Sequence, residues 1–122
     1  MSRTPSVSSK STGLPDATQI FLDGSERGVV RLGGVTIGRG VYRPGWRWSQ
    51  HVRPLAGKPS EAHTGYVLSG RMVVRAEDGL EVEVRPGEAF QAAAGADAWV
   101  AGDEPCVALD FAVDASAARE PE

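Results

Sequence analysis

The stretch HTGYVLSGRMVVRAEDGLEVEVRPGEAF, residues 63–90, decides the fold. It opens with two short apolar runs, HTGYVLS (63–69) and RMVVRA (71–76), separated by Gly70. An Asp78-Gly79 pair then divides RMVVRA from LEVEV (80–84), and such a pair between apolar runs marks a tight hairpin. LEVEV alternates strictly, which predicts Leu80, Val82 and Val84 facing a core and Glu81 and Glu83 facing water. Arg85-Pro86-Gly87 punctuates the chain again before EAFQA (88–92). A period of two with turn residues between the runs describes strands, not an amphipathic helix.

The same pattern extends in both directions. QIFL (19–22), GVVRL (28–32), VTIGRGVY (35–42) and WRWSQHV (46–52) precede the stretch, and DAWVA (97–101) and CVALDFAV (106–113) follow it. Short apolar runs recurring about every ten residues predict an all-β protein, an antiparallel β-barrel or jelly-roll sandwich spanning residues 16–113. The first fifteen residues, MSRTPSVSSKSTGLP, are rich in Ser, Thr and Pro without apolar periodicity, and are expected to be a disordered or loosely draped tail. Residues 114–122 are expected to form a second tail, in which ASAARE has the composition of a short helical turn.

Composition bounds the function. A chain of 122 residues suits one domain. Its net charge of −3 offers neither a basic nucleic-acid surface nor a polybasic membrane patch. No run approaches the roughly 18 apolar residues of a membrane helix, and the N-terminus lacks the apolar segment of a signal peptide. Cys106 is the lone cysteine, so no internal disulfide forms. These features together point to a cytoplasmic protein, with Cys106 expected as a buried, inert thiol.

The phrase YVLSGR, a hairpin, then RPGE, a small-residue stretch and GDEP resembles a cupin over residues 35–113. The resemblance implies a barrel whose inward side chains, usually three His and one Glu, bind a divalent metal. Mapped onto this chain, the family's first motif begins at Gly45, and after five intervening residues His51 stands at the first His position. Arg53 occupies the second His position, and the count back from Gly70 places His63 at the Glu position. The second motif begins at Gly87; Ala93 replaces its Pro, Gly95 is kept, Ala98 replaces the third His and Gly102 the Asn. PGWRWSQHVRPLAG, HTGYVLSGRM and GADAWVAGDEPC further resemble a subgroup of small single-domain cupins, whose His on this strand falls on Ala96.

The candidate site follows from these residues. His51 and His63 are the only histidines and the candidate catalytic pair. With Glu61, which shares strand parity with His63, they are the candidate ligands for Fe, Mn, Zn or Ni. Read as a strand, WRWSQHV places Arg47, Ser49 and His51 on one inward face, where Arg47 would hold a substrate carboxylate or pair with Glu61 or Asp97. Trp48 and Gln91 complete the candidate substrate-binding set. Trp46 and Trp48 then lie on the opposite face, suited either to a homodimer interface or to packing within the chain. Tyr66 falls on the face opposite His63. The alanines at 92, 93, 94, 96 and 98 leave room for a ligand.

Two functional readings result. In one the chain is an enzyme acting on a small molecule inside the barrel, with a divalent metal on the two His. The resemblance implies isomerase, cyclase, lyase or dioxygenase chemistry. In the other it is a metal-free small-molecule-binding barrel with an anion-recognising pocket. Both readings include a homodimer, and neither involves nucleic acid or a membrane.

Overall fold

The computed structural model describes residues 6–113. Residues 1–5 and 114–122, with the helical turn expected in ASAARE, lie outside the described residues. Nine strands and two single-turn helices follow one another as β1 (Ala17–Ile20), β2 (Glu26–Leu32), β3 (Val35–Tyr42), α1 (Trp48–His51), α2 (Arg53–Ala56), β4 (His63–Ser69), β5 (Met72–Arg75), β6 (Glu81–Val84), β7 (Ala89–Ala92), β8 (Asp97–Val100) and β9 (Cys106–Val113). They form a six-stranded sheet ordered β1-β2-β3-β9-β4-β7 and a three-stranded sheet ordered β6-β5-β8. Every pairing is antiparallel. Among the described residues no helix is long and apolar enough to cross a membrane.

Alternation along the strands builds the interior. Cys106, Ala108, Asp110 and Ala112 of β9 face inward, opposite Tyr42, Gly40, Gly38 and Thr36 of β3. His63, Gly65 and Val67 do so on β4, and Tyr66 faces out. Met72 and Val74 of β5, with Val100 of β8 and Val84 of β6, close the other wall. The buried cluster runs through Phe21, Tyr42, Trp46, Val67, Met72 and Cys106. Burial pushes the Cys106 thiol up to about 11, so it stays protonated at neutral pH.

Three glycines on the inward faces give up their own space to large neighbours. A Cβ at Gly40 would collide with the ring of Tyr42, one at Gly65 with the ring of Phe90, and one at Gly38 with the Arg27 guanidinium and the Asp110 carboxylate. Each large side chain therefore lies flat on the sheet instead of projecting across the barrel. This leaves the interior partly open.

The hairpin between β5 and β6 forms as expected, with Gly79 at φ 92° and Leu80 N–H donating to Asp78 Oδ1. Its outer half is only partly covered. Val84 is 3% exposed, but Leu80 and Val82 are 69% and 47% exposed, because β6 is an edge strand that runs past the body it packs on.

WRWSQHV is not a strand. The chain turns at Gly45 (φ 88°), touches β8 through a single Arg47–Trp99 bridge, and then winds into α1 and α2. Arg47 N–H donates to His51 Nδ1, Pro54 occupies the first turn of α2, and Gly57 ends it at φ 73°. Side chains in a helical turn share a face every third or fourth residue, so the inward parity expected of Arg47, Ser49 and His51 does not exist. Trp46 is 3% exposed in the core, and Trp48 packs against that core. Neither plates the outside of the barrel.

The glycine cradles make one clear prediction. Gly40→Ala forces the buried Tyr42 ring to move and is expected to destabilise the protein by about 1–3 kcal/mol, the usual cost of overpacking a core. Urea titration of the variant against the parent measures this; an unchanged midpoint would show that the ring is free to shift.

Candidate functional site

The space left inside the barrel is a cavity of about 310 Å³. That sits at the small end of the usual range for ligand pockets. Its walls are largely aromatic, from Phe21, Tyr42, Trp46, Trp48 and Phe90. Tyr42 and Trp46 pack with centroids 4.3 Å apart, and His63 meets Phe90 edge to face at 5.7 Å. Trp46 Nε1–H is buried and has no hydrogen-bond partner among the described residues.

The two helical turns roof this cavity. Trp48, Val52 and Ala56 are spaced four residues apart, the interval that aligns side chains on one helical face, and all three line it. The roof is anchored by Asp97, itself at the cavity wall. That carboxylate accepts from Arg47 Nε (2.8 Å), Ser49 Oγ (2.8 Å), Ser49 N–H (3.0 Å) and Ala98 N–H (2.9 Å). Burial works against its charge, yet the hydrogen bonds from Ser49, Arg47 and Ala98 prevail and hold its pKa below the usual carboxylate value. The Arg47 guanidinium also lies 4.4 Å over the Trp99 ring.

The polar wall is a cluster that sequence reasoning missed. Arg27 holds Asp110 through both carboxylate oxygens, Nε to Oδ2 at 2.7 Å and Nη2 to Oδ1 at 2.6 Å, and Nη1 donates to Gln19 at 3.0 Å. All three residues line the cavity. The Asp110 carboxylate raises the Arg27 pKa despite the burial that opposes its charge. Burial drives the Tyr42 phenol far above its ordinary value, so it stays neutral. A signal for the cluster was present: Asp110 is the lone charge in CVALDFAV, at an inward position of the strand.

The sequence-based candidates scatter around this cavity. His63 lines it, with Nδ1 3.1 Å from the Glu61 carbonyl oxygen. A ring nitrogen facing a carbonyl carries the proton, which leaves Nε2 as the acceptor. Trp48 lines the cavity as well. His51 is not among its lining residues; its Nδ1 is occupied by the Arg47 N–H. Arg47 and Ser49 are bound to Asp97 and do not line the cavity. The side chain of Glu61 is 77% exposed and paired with Lys58 at 2.7 Å, and Gln91 is exposed on the outward face of β7.

The comparisons with known proteins bear on this arrangement. The Cupin domain family matches residues 49–112, more than half of the chain. The chain is a cupin. Solved structures agree on the barrel. A cupin-like protein from Thermotoga maritima aligns at a TM-score of 0.61 and 12% identity, covering 94% of this chain and 85% of that one. A protein of unknown function from Vibrio parahaemolyticus aligns at 0.61 and 14%, covering 78% and 95%. KdgF from Halomonas sp. aligns at 0.57 and 22%, covering 78% and 83%. At these identities the likeness is one of fold. A search of the curated proteins finds no match.

A cupin barrel commonly holds a divalent metal, and the donors of this one do not fit that role. Among the described residues no three of His, Cys, Asp and Glu come together as a set that could hold an ion. His51 accepts from the Arg47 backbone N–H, Glu61 at the cavity rim is paired with Lys58, and Ala96 and Ala98 supply no metal-binding side chain. The anion site expected at Arg47 is likewise filled by Asp97 from within the chain.

The Asp97 anchor gives a pH-dependent prediction. Its folded-state pKa lies below the unfolded value of about 3.9, so its contribution is present above that pH and is lost as pH falls through the folded value. Asp97→Ala is expected to cost about 2 kcal/mol at neutral pH, the scale of hydrogen bonds to a charged group. The deficit should shrink below pH of about 4, and urea midpoints measured for both proteins across that range check it.

Proposed function

We propose that this cupin binds a small organic molecule in its interior cavity without a resident metal. The observation that carries this reading is the pairing of an aromatic cavity with a polar cluster whose charges cancel, in a barrel whose metal-ligand positions have dispersed. Apolar walls with a few convergent polar groups are the usual composition of a small-molecule site.

The reading has a direct test. Protein purified without chelator is expected to hold far less than one equivalent of Fe, Mn, Zn or Ni by elemental analysis, and small organic ligands are expected to raise its melting temperature. One equivalent of tightly held metal, lost in a His51→Ala/His63→Ala variant, would overturn it.

An enzymatic version of this function rests on His63. His63 lines the cavity, and in the neutral ring the Nδ1 proton faces the Glu61 carbonyl, so that Nε2 is the nitrogen a general base would use. His51 takes no part in that version, since it serves the turn at Arg47.

The protein pairs with a second copy through the outer face of the six-stranded sheet. Ile37 and Val41 of β3, Leu109 and Phe111 of β9 and Tyr66 of β4 all point outward there. Over β2 the chain's own Pro15 lies on this face, so β3, β9 and β4 offer it. Three strands at about 4.8 Å spacing and eight residues at about 3.4 Å rise give roughly 400 Å² in projection. That is about half of the roughly 800 Å² per partner of a standard interface. The face also carries Arg39 and Glu26, which have no ion-pair partner among the described residues and can pair across a two-fold axis. Light scattering is expected to give twice the 12.9 kDa chain mass, and Phe111→Glu to reduce it to the single mass. A parent protein that is monomeric at micromolar concentration would refute the pairing.

A further inference from the structure

The chemistry of the Arg27–Asp110 cluster narrows what the cavity takes. The inference rests on the interior cavity being a binding site. We propose that its ligand is a neutral, polyhydroxylated small ring compound, a monosaccharide or cyclic polyol, and not an anion.

Every charged group at the cavity wall has an opposite charge in contact with it: Arg27 with Asp110, Lys58 with Glu61, and Asp97 with Arg47. A carboxylate or phosphate entering this space would meet Asp110 beside Arg27, so the site repels an anion about as strongly as it attracts one. An apolar ligand fails for a different reason. It would bury the remaining hydrogen-bonding capacity of both groups unmet.

That remaining capacity is specific. Arg27 has five N–H donors, of which three are spent on Asp110 and Gln19 among the described residues. Asp110 has about four acceptor sites and spends two on Arg27. Donors and acceptors thus stand side by side on one planar pair. A hydroxyl both donates and accepts, so adjacent hydroxyls on one ring satisfy Asp110 and Arg27 together. The aromatic rings supply the complement, since their electron-rich faces attract the polarised C–H groups of a polyol ring. A space of about 310 Å³ holds the volume of roughly ten water molecules, which suits a single ring with its hydroxyls.

Gly38 supports the reading. It stands opposite Asp110, and any side chain there would strike both the guanidinium and the carboxylate. The sheet is cleared for this pair on the cavity side.

Calorimetric titration of the full chain tests the proposal with four probes: myo-inositol, D-glucose, D-glucuronate and toluene. The neutral polyols are expected to bind, with glucuronate at least tenfold weaker than glucose. Asp110→Asn leaves the guanidinium uncompensated and is expected to reverse that order, an effect that general loosening of the fold would not produce. Arg27→Met/Asp110→Leu replaces the pair with apolar groups, a change that folds tolerate. It is expected to lose the polyols by more than tenfold and to bind toluene more tightly. If the parent prefers glucuronate, or takes toluene and no polyol, the ligand class is wrong while the cavity reading stands. If no probe binds the parent, both fall.

Discussion

The Arg27–Asp110 ion pair governs the interior of this barrel. A carboxylate in the middle of an inward strand face is costly unless its charge is met at close range. Here the guanidinium reaches it from two strands away, across a strand that carries glycine where a side chain would block the path. Asp110 is also flanked by Gly65 on its other side, and Phe90 lies over that glycine. One charged pair therefore determines which neighbouring positions must be small, and those small positions determine where the cavity is.

This arrangement separates two jobs that cupin barrels commonly combine on one set of residues. The positions that resemble metal ligands no longer converge. His51 has become part of a turn and Ala98 offers no donor, while His63 alone still faces the cavity. The charged pair stands on β2 and β9, in the same sheet as His63 of β4. The barrel keeps its architecture because strand pairing and the buried apolar cluster hold it together, and neither depends on the ligand positions.

Much of the fold was legible in the sequence. The runs at 63–69, 71–76 and 106–113 form strands, and the hairpin at Asp78-Gly79 forms where its residues place it. Tyr66 points away from His63, as alternation on one strand requires. WRWSQHV misled because alternating aromatic and polar residues read as a strand over so short a span. Its true period shows only when Trp48, Val52 and Ala56 are taken together, and Pro54 marks the helical turn. The polar cluster was harder to see because Arg27 and Asp110 are 83 residues apart in the chain, and their contact follows from sheet order rather than from any local pattern. LEVEV shows a further limit: alternation reports which residues share a face, not whether anything covers that face.

The roof over the cavity has its attachments and its lining on different residues. Arg47, Ser49 and His51 make the side-chain bonds that hold the segment in place, and none of these three residues lines the cavity. Trp48, Val52 and Ala56 face inward and form none of those bonds. Size and shape at these three positions can therefore change through substitution while the anchorage stays intact. A lineage built on this barrel could reshape its cavity through three side chains, with the sheets and the charged pair inherited unaltered.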